Sequence, residues 1–326
     1  MKALALFSGG LDSILAVKVI QEQGIEVIPL NFVSYFFGGK NEQAEKAAAQ
    51  LGVTLEYVDF SDDQFEIVKH PKSGYGKGLN PCIDCHALMI EKALSLLEKY
   101  EASFVITGEV LGQRPMSQRE AAMRHISKIQ THGELLVRPL CAKLLPETYP
   151  EKAGWISRDK MFAINGRGRK EQLALAATYG ITEYPAPAGG CCLTEREFAR
   201  RLAVFIEDDF TQEPALFHMI RNARLFRLDY RKYLLVGRDR QENQILIKFH
   251  KEHPECHFIC GGETPGPSIL FYGESFSDEQ IKFACRLFSH YCTTKGKGEA
   301  NMELDGSTFI CNEDVTAEEM ERFHVK

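Results

Sequence analysis

Apolar runs alternate with amphipathic stretches over the first sixty or so positions of the chain. Residues 2–7, 25–32 and 54–60 are short apolar runs rich in residues typical of buried strands. Residues 11–23 and 41–51 carry helical spacing, and each is followed at once by a glycine that predicts the helix end. This β-α-β-α-β order predicts a doubly wound, mostly parallel sheet of the α/β class.

The same reading continues to about residue 210, where it predicts the end of a first domain, 1–210. Residues 69–81 break the pattern with glycines and prolines and predict an exposed loop. Further elements are predicted at 82–99 (helix), 103–107 (strand), 118–130 (helix), 135–137 (strand), 167–179 (helix), 185–190 (loop) and 195–205 (helix).

A change of pattern after Asp208 predicts a second, smaller α+β domain, 211–326. Residues 226–236 and 244–249 alternate like strands, with a polar turn between them. A short strand is predicted at 269–272 and an amphipathic helix at 278–291.

Composition narrows the class of protein. The chain has 326 residues, of which 44% are hydrophobic and 26% charged, as in soluble globular proteins. No apolar run reaches the ~20 residues that span a bilayer. The ten cysteines are unevenly spaced in a long chain without an export signal, which favours a reducing cytoplasm over a disulfide scaffold. The net charge of −6 excludes a uniformly basic protein but leaves room for a local basic groove.

The segment Phe7-Ser8-Gly9-Gly10-Leu11-Asp12-Ser13 joins the first strand to the first helix. Glycines let the backbone approach a phosphate, and the amide groups and dipole of the following helix favour an anion. Hydroxyls of Ser8 and Ser13 can donate further hydrogen bonds. Because no Gly-Lys-Ser/Thr follows, the loop is not a Walker loop, and it is similar to the pyrophosphate loop of ATP pyrophosphatases.

Three cysteines are predicted to meet at one edge of the sheet. Cys82 and Cys85 form a C-x-x-C at the start of a helix, where thiols are acidified. Cys192, with Cys191 as the alternate, would supply the third thiolate from a second glycine-rich loop. Such a set suits an iron–sulfur cluster with one iron free of protein ligands. Zinc with His86 as fourth ligand, or a metal-free persulfide pair, stays open as an alternative.

Several motifs occur together and carry a family resemblance. They are Ser8–Ser13, Thr107-Gly108-Glu109-Val110-Leu111-Gly112-Gln113, Ser117-Gln118, Arg138-Pro139-Leu140 and Cys191-Cys192. The set resembles the pyrophosphate-loop domain of the tRNA 4-thiouridine synthetase family over about residues 1–205. The cysteines resemble those of its iron–sulfur-dependent thiouridylase relatives.

This resemblance implies an adenine nucleotide alpha hydrolase-like fold and ATP-dependent thiolation of tRNA. A uridine carbonyl oxygen would be adenylated and then replaced by sulfur, from free sulfide or a cysteine desulfurase. ATP and Mg²⁺ are the implied cofactors, together with a cluster of the [4Fe-4S] type. The implied catalytic residues are Asp12, Cys192 and Lys143. The implied nucleotide contacts are Phe7, Ser8, Gly9, Gly10, Asp12, Ser13, Leu30, Asn31, Phe32, Gly108, Gln113 and Gln118.

The second domain resembles the RNA-binding domain of NFACT-type proteins. The motifs are Arg221–Leu228, Leu235–Asp239 and Pro265–Ser268. Members of the 4-thiouridine synthetase family typically carry an N-terminal tRNA-binding region, and here the loop already begins at Ser8. We therefore expect the second domain to take that role, and we expect no rhodanese-like persulfide relay.

The expected partners are tRNA and a sulfur donor, with no membrane and with a homodimer as an option. Two other functions stay open. One is sulfur transfer or ligation on a small molecule, and the other is a non-catalytic RNA-binding factor. The intact Ser8–Ser13 loop argues against the second of these.

Overall fold

The computed structural model describes residues 1–186, 191–210 and 214–326. The chain divides into two compact units, Met1–Thr194 and Glu195–Lys326. The sequence places this boundary after residue 210. The difference arises because the helix at Arg196–Glu207 packs on the following helix of the second unit, with Arg201 donating to the Ile220 carbonyl.

The first unit is built on a parallel sheet with the strand order β3-β2-β1-β4-β5 among the described residues. Because the order reverses at β1, the loops after β1 and β4 meet at a topological switch point, where ligands bind in such sheets. The strands are β1 Lys2–Leu6, β2 Glu26–Val33, β3 Glu56–Asp59, β4 Phe104–Thr107 and β5 Leu136–Val137. The predicted α/β fold class is confirmed.

Helices cover both faces of this sheet. Successive β1 residues point to opposite faces: Ala3 and Ala5 pack with α1, whereas Leu4 packs with α4 and α5. The helices are α1 Leu11–Gln21, α2 Glu42–Gln50, α3 Ser61–Lys69, α4 Cys82–Ser95, α5 Glu120–Ile129, α6 Tyr149–Lys152 and α7 Lys170–Thr178. The sequence prediction missed α3, and the loop predicted at 185–190 lies partly outside the described residues.

The second unit consists of helices and a sheet with the strand order β11-β10-β8-β9-β7-β6-β12 among the described residues. Its strands are β6 Arg224–Asp229, β7 Lys232–Val236, β8 Phe258–Gly261, β9 Ile269–Tyr272, β10 Ala300–Leu304, β11 Ser307–Cys311 and β12 His324–Val325. Its helices are α8 Arg196–Glu207, α9 Pro214–Asn222, α10 Arg240–Glu252, α11 Asp278–Tyr291 and α12 Ala317–Phe323. The predicted smaller α+β domain is confirmed.

Two predictions within this unit are wrong. Residues 226–236 are not one strand but a hairpin, which turns at Arg231 with a φ of 55°. Residues 244–249 lie in helix α10. The Asp239 side chain caps that helix by accepting from the Glu242 amide, and Leu246 and Phe249 bury its inner face. The helical spacing of apolar residues over the whole of α10 therefore determines the structure, and the short strand-like alternation at 244–249 does not.

In the described part of the chain, no helix combines the length and the apolar character that crossing a bilayer requires.

Candidate nucleotide and thiol site

Hydrogen bonds from its own small side chains fix the conformation of the loop between β1 and α1. The Gly10 amide donates to Ser8 Oγ at 3.3 Å, and Ser13 Oγ donates to the Gly10 carbonyl at 2.8 Å. The buried Asn31 amide donates to the Phe7 carbonyl at 2.8 Å and so fixes the end of β1. This leaves the first turn of α1 at the carboxyl edge of the sheet, as an anion site requires.

Two glycines allow other backbone segments to lie against this loop. Gly9 has a φ of +74°, and a Cβ there would lie 2.7 Å from the Ala44 Cα. Gly108 follows β4, and a Cβ there would lie 2.6 Å from the Ser13 nitrogen and from the Asp12 carbonyl carbon. Since both neighbours are backbone atoms, neither position has room for a side chain.

The other predicted nucleotide residues fall into two groups. Leu30, Asn31 and Phe32 lie near the C-terminal end of β2, and none is more than 8% exposed. Gln113 donates to Asp12 Oδ2 at 2.5 Å, which joins it to the loop. Gln118 is buried, and its backbone carbonyl accepts a hydrogen bond from the Gly112 amide. Its side-chain Oε1 has no hydrogen-bond partner among the described residues.

Lys143 is exposed, and its ammonium donates to the Asp159 carbonyl at 3.0 Å. In the part of the chain that the structure describes, no hydrogen bond joins it to the Ser8–Ser13 loop. Its implied catalytic role stays a prediction.

Cys82, Cys85 and Cys191 form a group of thiols that influence one another. Burial, with a further contribution from negative charge on Cys191 and Cys82, raises the pKa of Cys85 to about 12. Burial also raises the pKa of Cys191, and charge on Cys82 adds to that shift. Gln64, which is fully buried, donates to the Cys85 sulfur at 3.1 Å.

Cys192 is buried and its thiol donates to the Phe36 carbonyl at 3.2 Å. The sequence prefers Cys192 as the third thiolate and holds Cys191 as the alternate. Cys191 interacts electrostatically with both cysteines of the C-x-x-C pair, and the identity of the third thiolate stays a prediction.

Backbone contacts hold the two cysteine loops together. The Leu79 amide donates to the Leu193 carbonyl at 3.0 Å, and the Cys191 thiol lies 3.7 Å from Asn80 Oδ1. Asp84, between the two cysteines of the C-x-x-C, accepts hydrogen bonds from the amide and hydroxyl of Ser73. The loop before α4 is thereby anchored at both ends.

A buried charged network lies behind Cys82. His86 Nδ1 is 3.1 Å from Glu109, and Arg138 Nε donates to the other Glu109 oxygen at 2.7 Å. Burial raises the pKa of Glu109, but Arg138 and His86 outweigh it and lower that pKa to about 2. Burial lowers the pKa of His86, but hydrogen bonds to Cys82 and Glu109 raise it to about 10.

This network acts on the Cys82 thiol. Burial alone would raise its pKa, but hydrogen bonds to His86 and Ser117 and the positive charge of His86 lower it. Cys82 also begins α4, where the helix dipole favours a thiolate. The structure thus surrounds Cys82 with groups that favour a thiolate paired with an imidazolium.

The three thiols fit a metal cluster by number and chemistry. Among the described residues, however, no three histidine, cysteine or acidic side chains stand in an arrangement that would hold a metal ion. His86 Nδ1 faces Glu109, and its Nε2 lies 3.4 Å from Ser117 Oγ. The alternative of zinc with His86 as fourth ligand stays a prediction.

Some site residues were not identified from the sequence, and the sequence signals that could have identified them differ in strength. Glu109, Ser117 and Arg138 stand inside the quoted motifs, and a charged residue directly after a buried strand is itself a signal. Gln64 lies in ordinary helical sequence, where nothing distinguishes it from a surface glutamine.

Two known families match the chain. Residues 1–143 match the family described as thiamine biosynthesis protein (ThiI). Residues 223–324 match the NFACT protein RNA binding domain. Both resemblances drawn from the sequence are confirmed.

Curated relatives share the first part of the chain. A tRNA-specific 2-thiouridylase MnmA 2 from Fusobacterium nucleatum is 33% identical over 114 residues, which is 33% of this chain and 33% of the relative. A probable tRNA sulfurtransferase from Thermococcus kodakarensis is 29% identical over 118 residues, or 34% of this chain and 30% of the relative. The chain spans about a third of the length of these relatives.

Among solved structures, the chain is similar to that of the U34-tRNA thiolase NcsA from Methanococcus maripaludis with its [4Fe-4S] cluster. The identity is 15%, the match covers 68% of this chain and 69% of that one, and the TM-score is 0.34.

Proposed function

We propose that this chain is an ATP-dependent tRNA sulfurtransferase that converts a uridine to a thiouridine. The ThiI family match over residues 1–143 and the named tRNA-thiolating relatives support this activity. The NFACT match over residues 223–324 supports RNA as the substrate class. A cytoplasmic location stays a prediction.

The observation that carries the proposal is the position of two consecutive residues at the end of β4. Gly108 lies against the backbone of Asp12 and Ser13, whereas Glu109 hydrogen-bonds His86, the partner of Cys82. A phosphate cradle and a thiol group therefore adjoin the same strand end in one unit. A reaction that first activates a carbonyl with ATP and then delivers sulfur needs this juxtaposition.

The proposed reaction has two steps. The uridine carbonyl oxygen attacks the α-phosphorus of ATP, and pyrophosphate leaves over the Ser8–Ser13 loop. Hydrosulfide-level sulfur then attacks the adenylated carbon, and AMP leaves with the oxygen. The chain's part is to bind the phosphates with amides and hydroxyls, to hold the base and to present sulfur.

Mg²⁺ and an iron–sulfur cluster are the proposed cofactors. Asp12 Oδ1 is buried with no hydrogen-bond partner among the described residues, which leaves an acceptor for a cation. Cys82, Cys85 and Cys191 would hold the cluster, which when bound supplies an open iron for hydrosulfide.

The test is a reaction of the purified protein with ATP, Mg²⁺, sulfide and unmodified tRNA under anaerobic conditions. We expect AMP, pyrophosphate and a thiouridine detected by mass spectrometry of digested tRNA. Asp12→Asn should lower all three together. Turnover of a small thiol acceptor without tRNA would support the small-molecule alternative, and absence of pyrophosphate would support a non-catalytic RNA-binding factor.

The third thiolate is tested by an adjacent pair of variants. After anaerobic reconstitution with iron and sulfide, we expect Cys191→Ala to lose the visible absorbance and most of the bound iron. Cys192→Ala removes a sulfur from the neighbouring residue, and this variant should keep the visible absorbance and the bound iron. The reverse result would restore the preference for Cys192, and equal iron in both variants would argue against a three-cysteine site.

A further inference from the structure

Three polar side chains from distant parts of the first unit form a hydrogen-bonded series. Gln172 Nε2, on α7, donates to Gln113 Oε1 at 3.0 Å. Gln113 Nε2, in the loop after β4, donates to Asp12 Oδ2 at 2.5 Å. Asp12 is in the first turn of α1, next to the phosphate-type loop.

Gln172 occupies a costly place for a polar side chain. It is 0% exposed, and its Oε1 has no hydrogen-bond partner among the described residues. A buried amide without full hydrogen bonding is unfavourable, whereas an apolar residue on this inner face would pack without penalty. Stability alone therefore does not account for a glutamine here.

The series has a direction that depends on Gln172. A primary amide carries an acceptor at one end and a donor at the other, so an amide that receives a hydrogen bond at its oxygen must present its nitrogen to the opposite side. Because Gln172 donates to the oxygen of Gln113, the nitrogen of Gln113 faces Asp12. One carboxylate oxygen is thus occupied, and Oδ1 stays without a partner in the described part of the chain.

We propose that Gln172 is a positioning residue that orients Gln113 and, through it, turns the free carboxylate oxygen of Asp12 toward the cation that accompanies the nucleotide. This inference rests on the proposed function, because it requires a metal–triphosphate complex at the Ser8–Ser13 loop. It assigns a role in ligand binding to a helix residue whose described hydrogen bond goes to Gln113 rather than to the loop.

The experiment measures binding rather than turnover. A non-hydrolysable ATP analogue with a methylene group between the α- and β-phosphates is titrated by calorimetry into the full chain, with Mg²⁺ or with EDTA. Gln172→Met keeps the length of the side chain but cannot donate, so Gln113 is no longer held with its nitrogen toward Asp12. We expect the Mg²⁺-dependent affinity to weaken about tenfold, as for losing the hydrogen bond from Gln113 to the Asp12 carboxylate. Affinity in EDTA should stay the same.

A second variant tests the direction of the series. Gln172→Glu offers only acceptors, so Gln113 should reverse its amide and present its oxygen to Asp12. The repulsion should lower Mg²⁺-dependent affinity at least as far as Gln172→Met does. Gln21→Met is the matched control, since it makes the same change at a half-buried glutamine at the C-terminal end of α1 that donates to the Leu51 carbonyl, and it should leave nucleotide affinity unchanged.

The outcomes separate the inference from the proposed function. An unchanged affinity in both Gln172 variants would overturn the inference while the wild type still binds the analogue. An equal loss with Mg²⁺ and with EDTA would indicate a structural role only, and would also overturn it. If the wild type itself does not bind the analogue with Mg²⁺, the proposed function fails.

Discussion

Cys82 differs from its neighbours in the charge that surrounds its thiol. His86 and Ser117 lower its pKa against the effect of burial, whereas Cys85 and Cys191 are shifted upward. The thiolate is the nucleophile and the metal ligand. Cys82 is therefore the cysteine of this group with the largest thiolate fraction at a given pH.

The first prediction concerns alkylation of the metal-free protein. With iodoacetamide at pH 7, Cys82 should react faster than Cys85 or Cys191, as followed by mass spectrometry of peptides. His86→Gln should shift the pH midpoint of Cys82 alkylation upward, because the paired imidazolium is lost. His125→Gln, at an exposed position of α5, is the control and should leave the midpoint in place. Uniform reactivity of the three thiols would contradict the assignment.

The second prediction concerns the buried pair of Glu109 and Arg138. Glu109→Gln leaves the Arg138 guanidinium buried without its counter-charge and should destabilise the protein by about 3 kcal/mol at pH 7. Denaturant unfolding measures this change. Glu134→Gln, at an exposed carboxylate, should change the free energy of unfolding by less than about 0.5 kcal/mol.

The pH dependence of stability follows from the direction in which the Glu109 pKa is shifted. The folded-state pKa of Glu109 is lowered to about 2, below its ordinary value of about 4.3. Its stabilising effect is therefore complete above about pH 5 and is lost as the pH falls through the folded pKa. The stability difference between wild type and Glu109→Gln should shrink between about pH 4 and pH 2. A constant difference over that range would mean that Glu109 is not the titrating group.

At the scale of elements, the contact of β4 with α1 depends on a missing side chain. Gly108→Ala would place a Cβ 2.6 Å from the Ser13 nitrogen, so the two backbones must separate. We expect nucleotide affinity to fall more than about tenfold, measured by calorimetry. Gly39→Ala, where a Cβ meets nothing within 4 Å, is the control. Full affinity in Gly108→Ala would show that the approach of β4 is not needed.

The sequence anticipated the elements whose local signals agree with their burial. Helix α11 begins and ends where predicted, because Ser277 and Gln280 form a capping box ahead of a helical apolar face. Residues 244–249 misled because Ile245 and Ile247 imitate a strand, while the cap at Asp239 lies earlier. The Ser8–Ser13 loop was readable since its chemistry is contiguous in the chain.

The remainder of the site could not be read in the same way. The association of Cys191 with the C-x-x-C pair depends on contacts between residues about a hundred positions apart, such as Leu79 with Leu193. Gln172 has no local signal, because its role comes from what α7 packs against. Long-range packing of this kind leaves no periodicity in a single sequence.

At the scale of the whole chain, two units with separate cores match two different families. Met1–Thr194 contains the ThiI match, and Glu195–Lys326 contains the NFACT match. The proposed division of labour is that the first unit carries the chemistry and the second contributes to RNA binding. With a net charge of −6, affinity for tRNA must come from local basic surface.

The corresponding prediction is a salt dependence. Binding of bulk tRNA to the full chain should weaken as salt rises, with log K falling linearly against log salt at a slope of about −0.7 to −0.9 for each phosphate contact. Filter binding measures it. Lys248→Ala combined with Lys251→Ala, both exposed on α10, should make the slope shallower by about one to two units if this helix faces RNA. An affinity independent of salt would contradict RNA binding.

The adjacency of Gly108 and Glu109 makes two equilibria mutually dependent. If phosphate occupancy of the loop displaces Gly108, the next peptide shifts Glu109 and hence the acidity of Cys82. Thermodynamic linkage then requires the converse: ionising that sulfur must change nucleotide affinity by the same factor. The peptide bond between Gly108 and Glu109 would thus couple nucleotide binding to the ionisation of Cys82.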